Sequence, residues 1–170
     1  MKNGIYIVLL IIMAACGEDE QPKQIDWDQK KSTDFNKELA IEQEMQIKFF
    51  LEQHRDWEME KTGSGLQYYV YEKGEGEQTQ PGMKAQVEME VSLLDGTPCY
   101  KTAKDELEEF IVDKSDIETG IQEGIKKLHA GDRAKLIIPS HLAHGLVGDM
   151  NKIPPLTVIL VDIHLMGLLK

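Results

Sequence analysis

The chain has 170 residues and a mass of 19.3 kDa, with 19 Lys and Arg against 30 Asp and Glu. This length fits one domain with an extension and excludes a large multidomain enzyme. The formal net charge of −11 gives a surface that repels phosphate backbones, which argues against nucleic acid as a partner. Two cysteines allow at most one disulfide, so a disulfide framework is excluded.

Residues 1–15 are typical of a secretory signal peptide. Lys2 supplies the positive start, residues 5–13 form an apolar run, and two small alanines precede a cleavage point. The run is too short to cross a bilayer, which takes ~20 apolar residues. The segment 13–16 (Met-Ala-Ala-Cys) resembles a bacterial lipobox, in which the cysteine is lipidated. We therefore expect Cys16 to hold the protein at a membrane through its acyl chains. An ordinary signal peptide with an incidental cysteine is the alternative.

Residues 16–33 are polar and begin with an acidic run at 17–20 (Gly-Glu-Asp-Glu). Such runs usually form a solvated tether, which is the prediction for this segment. Acidic residues directly after a lipidated cysteine also resemble the surface-export signals of Bacteroidota lipoproteins. The expected location is the cell envelope, lipid-anchored at the outer membrane, on its periplasmic or its outer face.

Residues 34–61 are predicted to form an amphipathic helix, because positions 34–60 lack Gly and Pro. At 100° per residue, six apolar side chains fall on one face. They are Phe35, Leu39, Met45, Phe49, Phe50 and Trp57. Ile41 and Met59 extend this face, whereas Ile47 and Leu51 lie off it. The face is expected either to pack on the C-terminal domain or to form a homodimer interface, and one helix does not decide between the two.

From residue 62 onward the pattern changes to strands, after a breaker cluster at 62–65. Apolar and polar residues alternate along 85–93 and 159–165, and segments 66–72 and 133–138 are also strand-like. Residues 120–128 are a short helix candidate, with Ile121, Ile125 and Leu128 on one face. Many strands with one short helix predict an α+β domain over residues 62–170, an antiparallel sheet wrapped on a helix.

Five groups of residues, in order and spacing, resemble the FKBP-type peptidyl-prolyl cis-trans isomerase domains of bacteria. They are 62–68 (TGSGLQY), 94–96 (LDG), Gly120 with Gly124, 129–139 (HAGDRAKLIIP), and 142–145 (LAHG) with 153–155 (IPP). The resemblance covers about residues 65–170. It implies an FKBP-like antiparallel half-barrel sheet wrapped on one short helix, with the amphipathic helix as an N-terminal extension.

The resemblance also implies an activity and a binding site. Xaa-Pro bonds isomerise over a barrier of ~18–20 kcal/mol. A dry pocket that favours the twisted imide accelerates this step without a nucleophile, a catalytic acid or base, a metal or a cofactor. The substrate-binding positions implied by the resemblance are Met89, Cys99, Tyr100, Phe110, Ile117, Glu118, Ile121, His144, Ile153 and Val161.

At several of these positions the family's aromatic residue is replaced here. Met89, Ile121, His144 and Val161 stand where the family has a ring, and Cys99 with Tyr100 replaces its Phe-Asp pair. Each aromatic-to-aliphatic change removes about 1–2 kcal/mol of ring contact. The backbone amide of Glu118 still offers a donor to substrate, and Tyr100 is expected to turn inward in partial compensation.

The predicted function is a peptidyl-prolyl isomerase with a weakened or altered pocket that assists folding of envelope proteins. Its partners are then Xaa-Pro segments of unfolded or client envelope proteins. Two alternatives stay open: a non-catalytic binding module or chaperone, and a structural subunit of an envelope complex. No metal is expected, because His141 and His144 lack a third ligand at useful spacing.

Overall fold

The computed structural model describes residues 28–103 and 106–170. The predicted signal peptide, Cys16 and most of the predicted tether therefore lie outside the described residues. Within them the elements follow one another from an N-terminal helix into a β-rich domain. In chain order they are α1 (Gln29–Glu52), β1 (Glu60–Lys61), β2 (Gln67–Glu72), β3 (Lys84–Leu93), β4 (Pro98–Lys101), β5 (Glu108–Ile111), α2 (Thr119–Ile125), β6 (Arg133–Ile138), a 3-10 turn (Ser140–Leu142) and β7 (Ile159–Leu169).

The strands form a single antiparallel sheet of seven strands in the described part of the chain, ordered β1-β2-β6-β7-β3-β4, with β5 also paired to β3. The long strands β3 and β7 run together along their length, so Val91 faces Val161 and Glu88 faces His164. Alternate residues of both strands point into the core, where Val87, Val161 and Ile163 are fully buried. This pattern confirms the predicted alternation, since residues i and i+2 of a strand share one face.

Helix α2 packs closely against strand β6 because its two glycines carry no side chain. A Cβ on Gly120 would lie 2.3 Å from Ile138 Cγ2, and one on Gly124 would lie 2.7 Å from Leu136 Cδ1. Both distances are far below van der Waals contact, so the spacing of four residues keeps one helix face flat against the sheet. The predicted α+β class, with an antiparallel sheet wrapped on a short helix, is confirmed.

Helix α1 differs from the prediction in its bounds. It begins at Gln29 rather than at residue 34, because the Asp28 side chain caps it by accepting a hydrogen bond from Lys31 N (2.8 Å). It ends at Glu52 rather than near residue 61. At the end of the helix, the ring of Phe50 packs with those of His54 and Trp57 in the turn that follows, with centroids 4.2–5.7 Å apart, and the chain then turns back into β1.

The buried face of α1 agrees only in part with the predicted apolar face, since Phe35, Leu39 and Phe50 of that face are half-buried and Phe50 packs beside Ile47. Ile47 is 3% exposed and packs with Ile137 and Val158 on the sheet surface opposite α2. Ile41, Met45 and Phe49, which belong to or extend the predicted face, are 53–61% exposed. The helix thus packs on its own domain through Ile47, Phe50 and Leu51 and leaves a second apolar stripe open. In the described residues, no helix is both long and apolar enough to traverse a lipid bilayer.

Candidate functional site

Seven of the ten predicted substrate-binding side chains belong to the main hydrophobic core of the domain. Strands β3, β4, β5 and β7, the start of α2 and the loop after β6 each contribute to a single hydrophobic cluster. The predicted positions within this cluster are Met89, Cys99, Phe110, Ile117, Ile121, Ile153 and Val161. They come from distant parts of the chain, so the sheet order and the return of β7 beside β3 are what unite them.

The floor of this site is filled by its own side chains. Cys99, Phe110, Ile121, Ile153 and Val161 are each 5% exposed or less, whereas Met89 and Ile117 are half-buried. Ile153 belongs to the segment 143–156, which we call the flap, and it packs in the same cluster as the strand and helix residues. The flap therefore closes over the floor and places an apolar side chain of its own there.

Glu118 and His144 face each other at the rim. Their side chains approach within 3.0 Å (Glu118 Oε1 to His144 Nε2), and each is 23% exposed. Glu118 also precedes α2, with φ −50° and ψ 131°, and its carbonyl accepts from Ile121 N at 2.9 Å. Within residues 28–103 and 106–170, no acceptor is found for the backbone N–H of Glu118. A free N–H at a helix start, flanked by Ile117 and Ile121, is able to bind a carbonyl oxygen.

Tyr100 turns outward, so the expectation that it turns inward is wrong. Its ring is 39% exposed, and its hydroxyl donates to the Asp149 carboxylate in the flap. Lys152 lies over the same ring, with Nζ 4.9 Å from the centroid, and donates to the carbonyl of Cys99 at 2.6 Å. These contacts of Tyr100 and Lys152 join the flap to β4 at the rim of the site, and we call them the clamp.

Asp149 organises the tip of the flap. Desolvation alone would raise its pKa, but hydrogen bonds from Tyr100 and from the amides of Asn151 (2.9 Å) and Ile153 (2.7 Å) lower the pKa to about 2. The carboxylate is therefore ionised at neutral pH and fixes the turn that delivers Ile153 to the site.

Cys99 is buried beneath this clamp. Burial first, and then the negative charge of Asp149, raise the pKa of its thiol, so the thiol stays protonated at neutral pH. A protonated, buried thiol is a poor nucleophile, so Cys99 acts in the site by packing rather than by covalent chemistry.

The histidines have other partners. His141 Nε2 lies 3.0 Å from the carbonyl of Ser64, and His144 is paired with Glu118. In the part of the chain that the structure describes, no three His, Cys, Asp or Glu side chains lie close enough to hold a metal ion.

Sequence reasoning missed Asp149 and Lys152, the two polar anchors of the flap. An Asp followed two residues later by Asn is typical of a turn in which the carboxylate binds backbone amides, and 149–151 (Asp-Met-Asn) has this form. Nothing in the sequence indicates that Tyr100 is the partner of Asp149, because that contact spans 49 residues.

Comparison with known proteins agrees with the fold. The sequence model of the family described as FKBP-type peptidyl-prolyl cis-trans isomerase matches residues 75–166, which is more than half of the chain. The chain belongs to the FKBP-type peptidyl-prolyl cis-trans isomerase family.

Two curated relatives indicate how far the likeness extends. The chain is 32% identical over 136 residues to the FKBP-type isomerase FkpA of Buchnera aphidicola (subsp. Schizaphis graminum), covering 78% of this chain and 51% of that protein. It is 35% identical over 104 residues to a probable FkpA of Neisseria meningitidis serogroup B, covering 61% and 38%. The chain thus spans about half or less of the length of these relatives.

Solved structures show the same architecture. The crystal structure of FkpA from Escherichia coli superposes with a TM-score of 0.66 at 25% identity, over 81% of this chain and 64% of that one. A peptidyl-prolyl cis-trans isomerase from Pseudomonas syringae pv. tomato gives a TM-score of 0.64 at 20% identity, over 78% and 96%, which supports the fold alone.

Proposed function

We propose that the chain is a peptidyl-prolyl cis-trans isomerase that acts on Xaa-Pro segments of unfolded envelope proteins. The observation that carries this proposal is the free backbone N–H of Glu118, held beside the apolar cluster of Ile117 and Ile121. The N–H binds a substrate carbonyl outside the rotating imide and so orients the segment, and the apolar side chains hold the ring. The twisted imide loses its resonance, so a dry apolar site favours it over the planar form.

Proline at position 118 tests this assignment, because it removes the N–H and accommodates the observed φ of −50°. The matched control is Glu118→Ala, which loses the same carboxylate and its contact with His144 but keeps the N–H. Both variants are made in the full-length chain in mild detergent. Exchange spectroscopy by NMR then measures cis-trans rates in a set of Xaa-Pro peptides, with and without protein.

We expect Glu118→Pro to lower kcat/KM about 10- to 100-fold relative to Glu118→Ala, the effect of one lost donor worth roughly 1.4–2.7 kcal/mol in the transition state. Equal activity of the two variants would contradict the role of the amide. A folded parent chain that accelerates none of the peptides would overturn the isomerase proposal for these substrates.

A second candidate is a client-binding module without catalysis, and the flap tip favours it. Leu146, Val147 and Met150 are 66%, 67% and 92% exposed, which is unusual for large apolar side chains. At the same time the pocket floor is buried beneath the flap. In this case Glu118→Pro would still bind an unfolded chain, and replacing Leu146 and Met150 by Ser would weaken that binding.

The exposed stripe of α1, defined as Ile41, Met45 and Phe49, supports a homodimer. Helix α1 carries Lys30, Lys31, Lys37 and Lys48 against Asp34, Glu38, Glu42, Glu44 and Glu52, a net charge of 4 − 5 = −1. Most of the chain's charge of −11 therefore lies elsewhere, and two copies of α1 meet with little repulsion. Sedimentation of the wild type against Met45→Ser tests this: loss of a dimer is expected, and a monomeric wild type would contradict it.

The cell envelope is the proposed location, with Cys16 as the lipid anchor. The lipobox-like sequence at 13–16 supports this assignment. Mass spectrometry of the mature N-terminus would detect acyl chains on Cys16, and Cys16→Ser should release the protein from the membrane fraction.

A further inference from the structure

We infer that Gln43 of helix α1 is a positioning residue for the flap, so that the N-terminal helix sets the geometry of the candidate active site. Gln43 is 3% exposed, which is rare for a long polar side chain on a surface helix. The inference rests on the proposed function for its catalytic consequence, and on geometry alone for its structural consequence.

The amide of Gln43 holds both ends of the flap at once. At the near end, its Nε2 donates to Ser140 Oγ at 2.7 Å and its Oε1 accepts from Ser140 N at 3.0 Å. At the far end, the same Nε2 donates to the carbonyl of Leu156 at 3.0 Å. One side chain therefore joins the start of the 3-10 turn that leads into the flap to the residue that ends the flap.

Backbone hydrogen bonds join Ser140, Gly145 and Leu156 into a closed ring at the base of the flap, which we call the flap root. Gly145 N donates to Ser140 O at 2.8 Å, and Leu156 N donates to Gly145 O at 2.9 Å. Leu156 takes a left-handed conformation there, with φ +56°, which a non-glycine residue adopts at a cost. The bond from Gln43 to the Leu156 carbonyl supports this unfavourable turn.

The flap root fixes the positions of two residues that form the site. His144, which contacts Glu118 at the rim, directly precedes Gly145, and Ile153 in the floor lies three residues before Leu156. Loss of the Gln43 amide frees the Leu156 carbonyl and the Ser140 N–H, and the flap then shifts. A displacement of about 1 Å at a site that works by positioning is enough to lower its rate markedly.

Methionine at position 43 tests the role, because it matches glutamine in length and helix propensity but cannot bridge the two ends. The matched control is Gln46→Met on the same helix, whose exposed amide donates to the Glu42 carboxylate at 3.4 Å. Hydrogen exchange of backbone amides is measured in the full-length chain in mild detergent, at Gly145, Asp149 and Leu156 in the flap and at Leu136 in the core.

We expect Gln43→Met to speed exchange of the flap amides about ten-fold relative to the core amide, and Gln46→Met to leave them unchanged. Ser140→Ala removes only one of the three bonds and should give a smaller increase at the same amides. This second variant keeps the test decisive if Gln43→Met fails to fold. Faster exchange in α1 with an unchanged flap would mean that Gln43 only anchors the helix, and would overturn the inference.

Activity gives an independent measurement. If the parent chain catalyses Xaa-Pro exchange, Gln43→Met should lower kcat/KM about ten-fold while Gln46→Met does not. An inactive parent would overturn the proposed function, whereas the flap exchange would still decide the role of Gln43.

Discussion

Truncation of Ile47 tests how helix α1 packs on the domain. Ile47→Ala removes three carbon atoms from a side chain that is 3% exposed and contacts Ile137 and Val158. At ~0.8 kcal/mol per carbon, the lost transfer free energy is about 2.4 kcal/mol. The cluster lies near the surface and can partly collapse, so the cavity left by the truncation adds little to this loss. We expect Ile47→Ala to lower the free energy of unfolding by about 2–3 kcal/mol.

The control for this prediction is Phe49→Ala. Phe49 is larger than Ile47 but 60% exposed, so its truncation should change the free energy of unfolding by no more than about 0.5 kcal/mol. Urea denaturation followed by circular dichroism measures both, at a protein concentration low enough that association does not contribute. Phe49→Ala destabilising the chain as much as Ile47→Ala would show that the helix packs through the other face, and the reasoning would fail.

Three further predictions concern the flap and the neighbouring strand β4. The pKa of Asp149 is lowered from 3.8 to about 2, so its stabilisation is complete above pH 3.8 and is lost as the pH falls through about 2. The protection factors of the flap amides, which compare each exchange rate with that of an unstructured peptide at the same pH, should fall over that range, but not in Asp149→Asn. Cys99 should react with a thiol reagent at least about ten-fold more slowly in the folded Cys16→Ser chain than in urea, and equal rates would contradict its burial. Gly148→Ala, with φ +66° and a Cβ 2.2 Å from the Ile153 carbonyl, should destabilise the flap more than Gly145→Ala, where nothing lies within 4 Å; calorimetry compares the two.

The long strands were predictable from local pattern. Strand β6 has the predicted bounds of 133–138, and the alternation along β3 and β7 identified their buried faces. The short strands β4 and β5 were not predicted, because Pro98–Lys101 and Glu108–Ile111 have no alternation of their own and exist through pairing with β3. Periodicity identifies a strand that buries one face, but it does not identify a strand that forms only by pairing with a neighbouring strand.

The face of α1 could not be predicted from hydrophobicity alone. Met45 and Phe49 of the predicted face are exposed, whereas the side that packs holds Ile47, a glutamine and the half-buried Phe50 and Leu51. The amide of Gln43 is buried because Ser140 and Leu156, which lie 97 and 113 residues away, satisfy it. A polar residue that binds distant backbone groups has no signature in a local window.

Helix α1 can hold the flap and form the proposed dimer contact at the same time, because the two contacts use different faces of the helix. At about 100° per residue, Met45 lies about 200° around the helix from Gln43, so the exposed stripe points away from the side that holds the flap. A second copy of the chain can therefore bind the stripe without displacing Ile47 from the sheet or Gln43 from the flap root. Because a dimer would restrain α1 further, it would steady the flap rather than release it, and dimer formation and a well-positioned site would favour each other.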